Sequence, residues 1–155
     1  MATTGARIST HPIHPMLVVV PLGLWIAALA FDIAATLTGN ALWRTVGFWN
    51  IVGGIIGALV AAVPGFVDYR GLQGRAGRIA TWHMILNLGA VALFAVNAYV
   101  RTRVGLESAW PLTLSVVGVV GVLVSGWLGG EMVYVERIGV EESSGRREAR
   151  RRRVA

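Results

Sequence analysis

The residues best suited to chemistry in this chain are its three histidines. Two of them, His11 and His14, stand three positions apart in the segment His-Pro-Ile-His-Pro, directly before a long apolar stretch. The third, His83, stands near the start of a later apolar stretch. Imidazole nitrogens ligate iron, copper, zinc and nickel, and carboxylates complete many such ligand sets. The histidines therefore predict a site for haem or a transition metal if the fold brings them together.

Four further polar residues stand close to the corresponding ends of the apolar stretches. They are Asp68, Asn87, Glu131 and Tyr134. If a bare metal binds, Asp68 and Glu131 are expected to join the histidines as ligands, and otherwise all four are expected to support the histidines by hydrogen bonding. The alternative is that the histidines carry no ligand. His11 and His14 would then cap a helix and His83 would hydrogen-bond a neighbour, which for His11 is the preferred interpretation.

The composition is that of a membrane protein. The 155 residues are 55% hydrophobic and only 14% charged, and the mean hydropathy is +0.64, well above ordinary soluble usage. The absence of cysteine excludes disulfides, iron–sulfur ligation and covalent CxxCH haem attachment, so that a bound haem would be haem b. All 14 basic residues are arginine, which excludes Schiff-base and P-loop lysine chemistry.

Four apolar stretches predict an all-α, integral membrane, antiparallel four-helix bundle. A membrane-spanning helix needs about 20 residues, and we predict such helices over about 16–37, 45–67, 79–100 and 110–134. Together they form a transmembrane domain over residues 11–140. Residues 1–10 are predicted to be a flexible start, and residues 141–155 a disordered arginine-rich tail. The short connections favour antiparallel neighbours.

The arginines predict the orientation of this bundle. One side of the membrane holds Arg7, the three arginines of the middle loop and every arginine from Arg137 onward. The other side holds only Arg44, Arg101 and Arg103. Because arginine is enriched in cytoplasmic loops, we expect a bacterial inner-membrane protein with both termini in the cytoplasm. All three histidines then lie near the cytoplasmic face.

Two contacts inside the bundle are also predicted. Small residues recur at helical spacing in the second and fourth stretches, and we expect helices two and four to pack closely there, at Gly57 and Gly121. Asp32 stands near the outer end of the first helix and Arg44 follows across a short turn. An ion pair between Asp32 and Arg44 is the simplest expectation.

Five linked motifs resemble one family. They are His11–Pro15, Phe31–Asp32, Pro64–Tyr69, Trp82–Asn87 and Gly126–Tyr134, and their order and spacing are similar to those of the DUF2231 family. The similarity covers about residues 10–140 and implies a bacterial four-helix membrane protein of unknown function. Relatives are sometimes joined to Rieske-type iron–sulfur domains, which implies membrane redox chemistry by analogy. Many members carry a further histidine where this chain has Glu136, so the resemblance leaves a set of three histidines.

Two functions remain open at this point. The first is a haem- or metal-binding membrane protein in electron transfer, with a redox partner protein. The alternative is a non-catalytic scaffold or subunit-association module, which could form a homo-oligomer. A transporter has less support because no ladder of charged residues crosses the membrane. Whether the protein is an enzyme stays open, although no nucleophile–base pair supports a hydrolase. The expected surroundings are the lipid bilayer, and nucleic-acid binding is not expected, since the arginine tail lacks interleaved aromatic residues.

Overall fold

The computed structural model of the protein describes residues 6–8 and 11–140. Five α-helices and one π-helical turn make up almost all of it, and a pair of two-residue strands precedes them. The strands are β1 (Arg7–Ile8) and β2 (His11–Pro12), and the helices are α1 (Ile13–Leu17), α2 (Val19–Thr38), α3 (Ala41–Tyr69), α4 (Gly74–Arg101) and α5 (Trp110–Gly130), followed by the π-helical turn Glu131–Val135.

Four helical spans are long and apolar enough to cross a membrane. They cover Ile13–Thr38, Ala41–Tyr69, Gly74–Arg101 and Trp110–Val135, with 26 to 29 residues each. The first span joins α1 to α2, and the fourth joins α5 to the π-helical turn. The predicted membrane bundle of four helices is thereby confirmed. The first three spans start three to five residues earlier than predicted, the fourth starts at the predicted residue, and all four end one or two residues later.

Local sequence explains where the first span bends and ends. Pro21 has no backbone N–H to donate to the carbonyl of Leu17, and the helix breaks at Val18, between α1 and α2. At the far end Gly39 takes the left-handed conformation (φ 65°) that ends α2. The side chain of Asn40 then accepts a hydrogen bond from the Leu42 N–H at 2.9 Å and caps α3.

The spans pack as a ring in chain order. The largest interfaces are α2 with α3 and α4 with α5, and the α2–α5 and α3–α4 interfaces are smaller. The backbones of the diagonal pairs lie further apart within the described residues, and large side chains such as Trp25 and Phe94 bridge α2 and α4. Residues near the N-terminal end of one span contact residues near the C-terminal end of the following span, as His14 does with Ala61 and His83 with Ser125. This pairing is the one expected of antiparallel neighbours, and the antiparallel course stays a prediction that the pairing supports.

Aromatic stacking fills the middle of the bundle. The rings of Trp25 and Phe94 stack at 4.4 Å between centroids, and both side chains are buried together with Ile51. Each large ring faces a glycine of the neighbouring helix. A Cβ at Gly54 would overlap the Trp25 indole, and a Cβ at Gly118 would lie 2.6 Å from Phe94 Cζ. The glycines therefore allow these helices to approach closely.

The glycine contacts correct the prediction for helices two and four. The glycines of α3 face the first span, where a Cβ at Gly57 would lie 3.3 Å from Pro21 Cδ, and Gly118 of α5 faces α4. A Cβ at Gly121 would have no atom within 4 Å. The expected close contact between helices two and four at Gly57 and Gly121 is therefore wrong. Because lipid is as apolar as the core, hydropathy alone does not give the rotation of a helix.

A buried ion pair closes the end of the bundle opposite the histidines. Arg101 Nη2 lies 2.5 Å from Asp32 Oδ2, and the two side chains are 2% and 3% exposed. Ser115 Oγ donates to the same carboxylate at 2.6 Å, and Arg101 Nε donates to Asn97 Oδ1 at 3.0 Å. The predicted Asp32–Arg44 ion pair is wrong, because Arg44 instead donates to the carbonyl oxygens of the loop before α5.

The two predicted terminal segments are described only in part. Within residues 1–10 the structure describes Ala6 and strand β1, which pairs with β2 so that Ile8 lies opposite His11. The Ala6 N–H also donates to Asp68 Oδ1 at 2.7 Å, which holds this segment against the end of α3. The predicted disordered tail, residues 141–155, lies outside the described residues.

Candidate functional site

The structure brings His14 and His83 together at one end of the bundle. Their ring centroids lie 6.3 Å apart and the ring planes are at 90°. His14 comes from α1 and His83 from α4, so the pair joins the first and third spans across the bundle, as the Trp25–Phe94 stack and the Asp32–Arg101 ion pair also do. The expectation that these two histidines converge from different helices agrees with this geometry.

Backbone carbonyls fix the tautomer of both rings. His14 Nδ1 lies 2.8 Å from the carbonyl oxygen of Ala61, and His83 Nδ1 lies 2.8 Å from that of Ser125. A carbonyl oxygen only accepts, so each Nδ1 must carry the proton. In a neutral ring Nε2 then keeps its lone pair, and within the described residues neither Nε2 has a hydrogen-bond partner. Metal-binding histidines are commonly held in this way, with the second ring nitrogen donating to a carbonyl or carboxylate.

Two glycines make room for the rings. A Cβ at Gly65 of α3 would lie 2.7 Å from His14 Nδ1, which is closer than any real side chain could lie. A Cβ at Gly129 of α5 would lie 3.4 Å from His83 Cε1. The rings thus pack on these two helices at their Nδ1 and Cε1 atoms.

Asn87 and Ser125 fix His83 by hydrogen bonds at its carbonyl oxygen and at Nδ1. Asn87 Nδ2 donates to the His83 carbonyl oxygen and to Ser125 Oγ, each at 2.7 Å. Ser125 Oγ in turn lies 3.0 Å from His83 Nδ1. Asn87 was expected to support the histidines by hydrogen bonding, and the structure shows such support acting on His83 through Ser125.

The other candidate residues have different partners. Asp68 accepts the Ala6 N–H, and Glu131 pairs with Arg75 Nη2 at 2.7 Å. Tyr134 is 85% exposed, and His11 is exposed in strand β2. Across residues 6–8 and 11–140, no group of three or more His, Asp or Glu side chains is arranged to hold a metal ion. In this conformation the site therefore consists of two histidines and the groups that orient them.

Sequence reasoning missed the polar groups that order both ends of the bundle. By sequence alone, Ser125 is one of the small residues that recur at helical spacing in the fourth apolar stretch, and the carbonyl partner Ala61 carries no sequence signal. Asn97 and Arg101 did offer a signal, because they stand four apart on α4, the same spacing as His83 and Asn87. An amide within a membrane span is costly unless it is paired, so Asn97 pointed to a buried partner.

Comparison with protein families agrees with the motifs and with the helical spans. The family model described as "Predicted membrane protein (DUF2231)" matches residues 10–142, which is most of the chain. The chain belongs to the DUF2231 family. Comparison with curated proteins and with solved structures gave no match. Membership of DUF2231 thus identifies a predicted membrane protein, and any function must be argued from the arrangement of its residues.

Proposed function

We propose that this DUF2231 protein binds haem b through His14 and His83 and serves in electron transfer within the membrane. The observation that carries the proposal is the pair of Nδ1–H···O=C hydrogen bonds. They hold both rings in the tautomer whose Nε2 can bind a metal. Bound haem iron would supply one-electron redox chemistry, and the residues of the chain would hold and orient it.

The number of protein ligands favours haem over a bare ion. Structural and catalytic zinc sites take three or four protein ligands, whereas haem iron, equatorially bound by its porphyrin, takes two axial side chains at most. His14 and His83 supply two, and the carboxylates of Asp68 and Glu131 are already engaged. The ring centroids of His14 and His83 lie 6.3 Å apart, so the two side chains would hold the same group.

The alternative is a non-catalytic membrane module. The observation that favours it is that each histidine already joins two helices through its Nδ1–H bond, which by itself accounts for the position of the ring. A module of this kind would associate with other subunits or with further copies of the chain, whereas an electron carrier needs a redox partner protein. The two proposals differ in cofactor content, which is measurable.

The cofactor proposal is tested by haem and metal stoichiometry in purified, folded protein. We expect His14→Ala and His83→Ala to abolish binding, because either change removes one of the two side chains that would hold the iron. We expect Asn87→Ala to weaken binding about 10–100-fold, since Asn87 reaches the imidazole ring of His83 only through Ser125. His11→Ala is the control and should retain the cofactor. Retention of haem by both His14→Ala and His83→Ala would reject the site.

We also propose that the protein lies in the inner membrane with both termini in the cytoplasm. The arginine excess supports this orientation, and the buried position of Arg101 strengthens it. Because Arg101 is paired with Asp32 inside the bundle, it is not a loop charge, and the outer side is left with only Arg44 and Arg103.

Reporter fusions test the orientation. A fusion at Ala155 should report the cytoplasm, and a fusion at Glu107, in the loop between α4 and α5, should report the exterior. The physical reason is that arginine-rich segments are retained on the cytoplasmic side during insertion. The opposite pattern would show that the bundle has the inverted orientation. If both fusions reported the same side, the chain could not cross the membrane four times as described.

A further inference from the structure

We propose a second binding site, for a membrane phospholipid, in a groove between α4 and α5. The groove has a volume of about 390 Å³ and is lined by Arg75, Arg78, Ile79, Trp82, Leu86 and Leu128. Its occupant is a glycerophospholipid whose phosphodiester meets Arg78 and whose acyl chain lies along the apolar wall. No histidine lines the groove, so this proposal is independent of the cofactor site.

The groove changes from cationic to apolar along one face of α4. Its α4 residues stand at positions 75, 78, 79, 82 and 86, a spacing that places side chains on the same side of a helix. The arginines lie in the first turns, and Ile79, Trp82 and Leu86 follow. Leu128 of α5 forms the facing wall. This order matches a phospholipid, which has a phosphate at one end and hydrocarbon below it.

The depth of the groove in the membrane fits the same ligand. Helix α4 has 28 residues and is about 42 Å long, whereas the hydrocarbon core is about 30 Å thick. The first turns therefore reach the headgroup region, where the phosphates lie. Leu86 lies eight residues beyond Arg78, about 12 Å deeper along the helix. Trp82, between them, lines the groove and is 62% exposed.

The two arginines of the groove differ in whether a carboxylate of the protein already pairs with them. Arg75 pairs with Glu131 at 2.7 Å and with Glu136 at 2.8 Å. The π-helical turn allows this, because its wider turn brings residues five apart onto one side. Arg78 is exposed and has no ion pair or hydrogen bond within the described residues. Arg75 thus neutralises the nearby carboxylates, and Arg78 is the cation available to a phosphate.

Native mass spectrometry of the full chain in mild detergent tests the site with three probes. They are phosphatidylglycerol, a diacylglycerol with the same chains, and inorganic phosphate. We expect saturable binding of phosphatidylglycerol alone, because the site needs both the phosphate and the chain. Equal binding of diacylglycerol would show a purely apolar groove and overturn the proposal. Equal binding of inorganic phosphate would show an ion site without a lipid and also overturn it.

Substitutions locate the site on the protein. Arg78→Gln should weaken phosphatidylglycerol binding about fivefold, the usual contribution of one arginine at an anionic membrane surface. Because Arg78 is exposed, folding should be unchanged. Arg103→Gln is the matched control, since Arg103 lies just beyond the opposite end of α4, where its guanidinium lies over the Tyr99 ring. Equal losses in the two variants, or no loss in Arg78→Gln, would overturn the assignment.

Discussion

Asp32→Ala should destabilise the folded protein by about 3–5 kcal/mol, the usual cost of leaving one partner of a buried ion pair uncompensated. The guanidinium of Arg101 would lose its counter-ion while its side chain stays 2% exposed. Ser115 Oγ would lose its acceptor as well. Arg101 Nη1 already has no hydrogen-bond partner in the described structure, so the cluster holds no spare acceptor for this charge. The measurement is reversible unfolding in mixed micelles, followed by circular dichroism.

Two comparisons make the ion-pair result specific. Asp32→Leu combined with Arg101→Leu should cost less than Asp32→Ala alone, because replacing both partners with apolar groups removes the buried charge. Glu107→Ala removes an exposed carboxylate from the same end of the bundle and should change stability by less than about 0.5 kcal/mol. If Asp32→Ala and Glu107→Ala lost equal stability, the buried pair would not be what holds this end together.

Gly118→Leu should destabilise the bundle by about 3 kcal/mol, the upper end of the usual cost of overpacking. A Cβ at this position would lie 2.6 Å from Phe94 Cζ. The Phe94 ring cannot easily move aside, since it is fully buried and stacked on Trp25. α4 and α5 would have to separate, and the same unfolding measurement should show the loss.

Gly121→Leu is the matched control for that substitution. It lies on the same helix, three residues further along, and makes the same chemical change. A Cβ at Gly121 has no atom within 4 Å, so the added side chain should extend into lipid and change stability by less than about 0.5 kcal/mol. Equal destabilisation by the two substitutions would mean that α5 is rotated relative to the observed packing.

The sequence was sufficient to predict the four helical spans and the depth of each polar residue along the bundle axis. The lengths of the four apolar stretches predicted the four membrane helices, since a helix that crosses the bilayer requires about 20 apolar residues. Counting along those helices placed His14 and His83 at the same level, and they do meet. Asp68 and Glu131 were placed near the same level, but their partners, Ala6 and Arg75, were not anticipated.

The rotation of each helix about its axis, and the side-chain pairs that are distant in sequence, could be found only from the structure. Asp32 was paired by nearness along the chain with Arg44, yet its partner Arg101 lies 69 residues away. The tight glycine of α5 is Gly118 and not Gly121. In a soluble helix the polar face would have given the rotation, but here both lipid and core are apolar. Buried polar residues such as Asn97 do indicate which side of a membrane helix faces its neighbours.

The most direct test of the cofactor proposal is the absorption spectrum of the wild-type protein purified from its own membranes, oxidised and then reduced. If His14 and His83 hold haem b, the oxidised protein should show a Soret band, and the reduced protein should show sharp visible bands. Metal analysis of the same sample should give iron in equal amount to haem. A spectrum without a Soret band, from protein that contains no transition metal, would contradict the account. His14 and His83 would then serve only to join the helices that their Nδ1–H bonds connect.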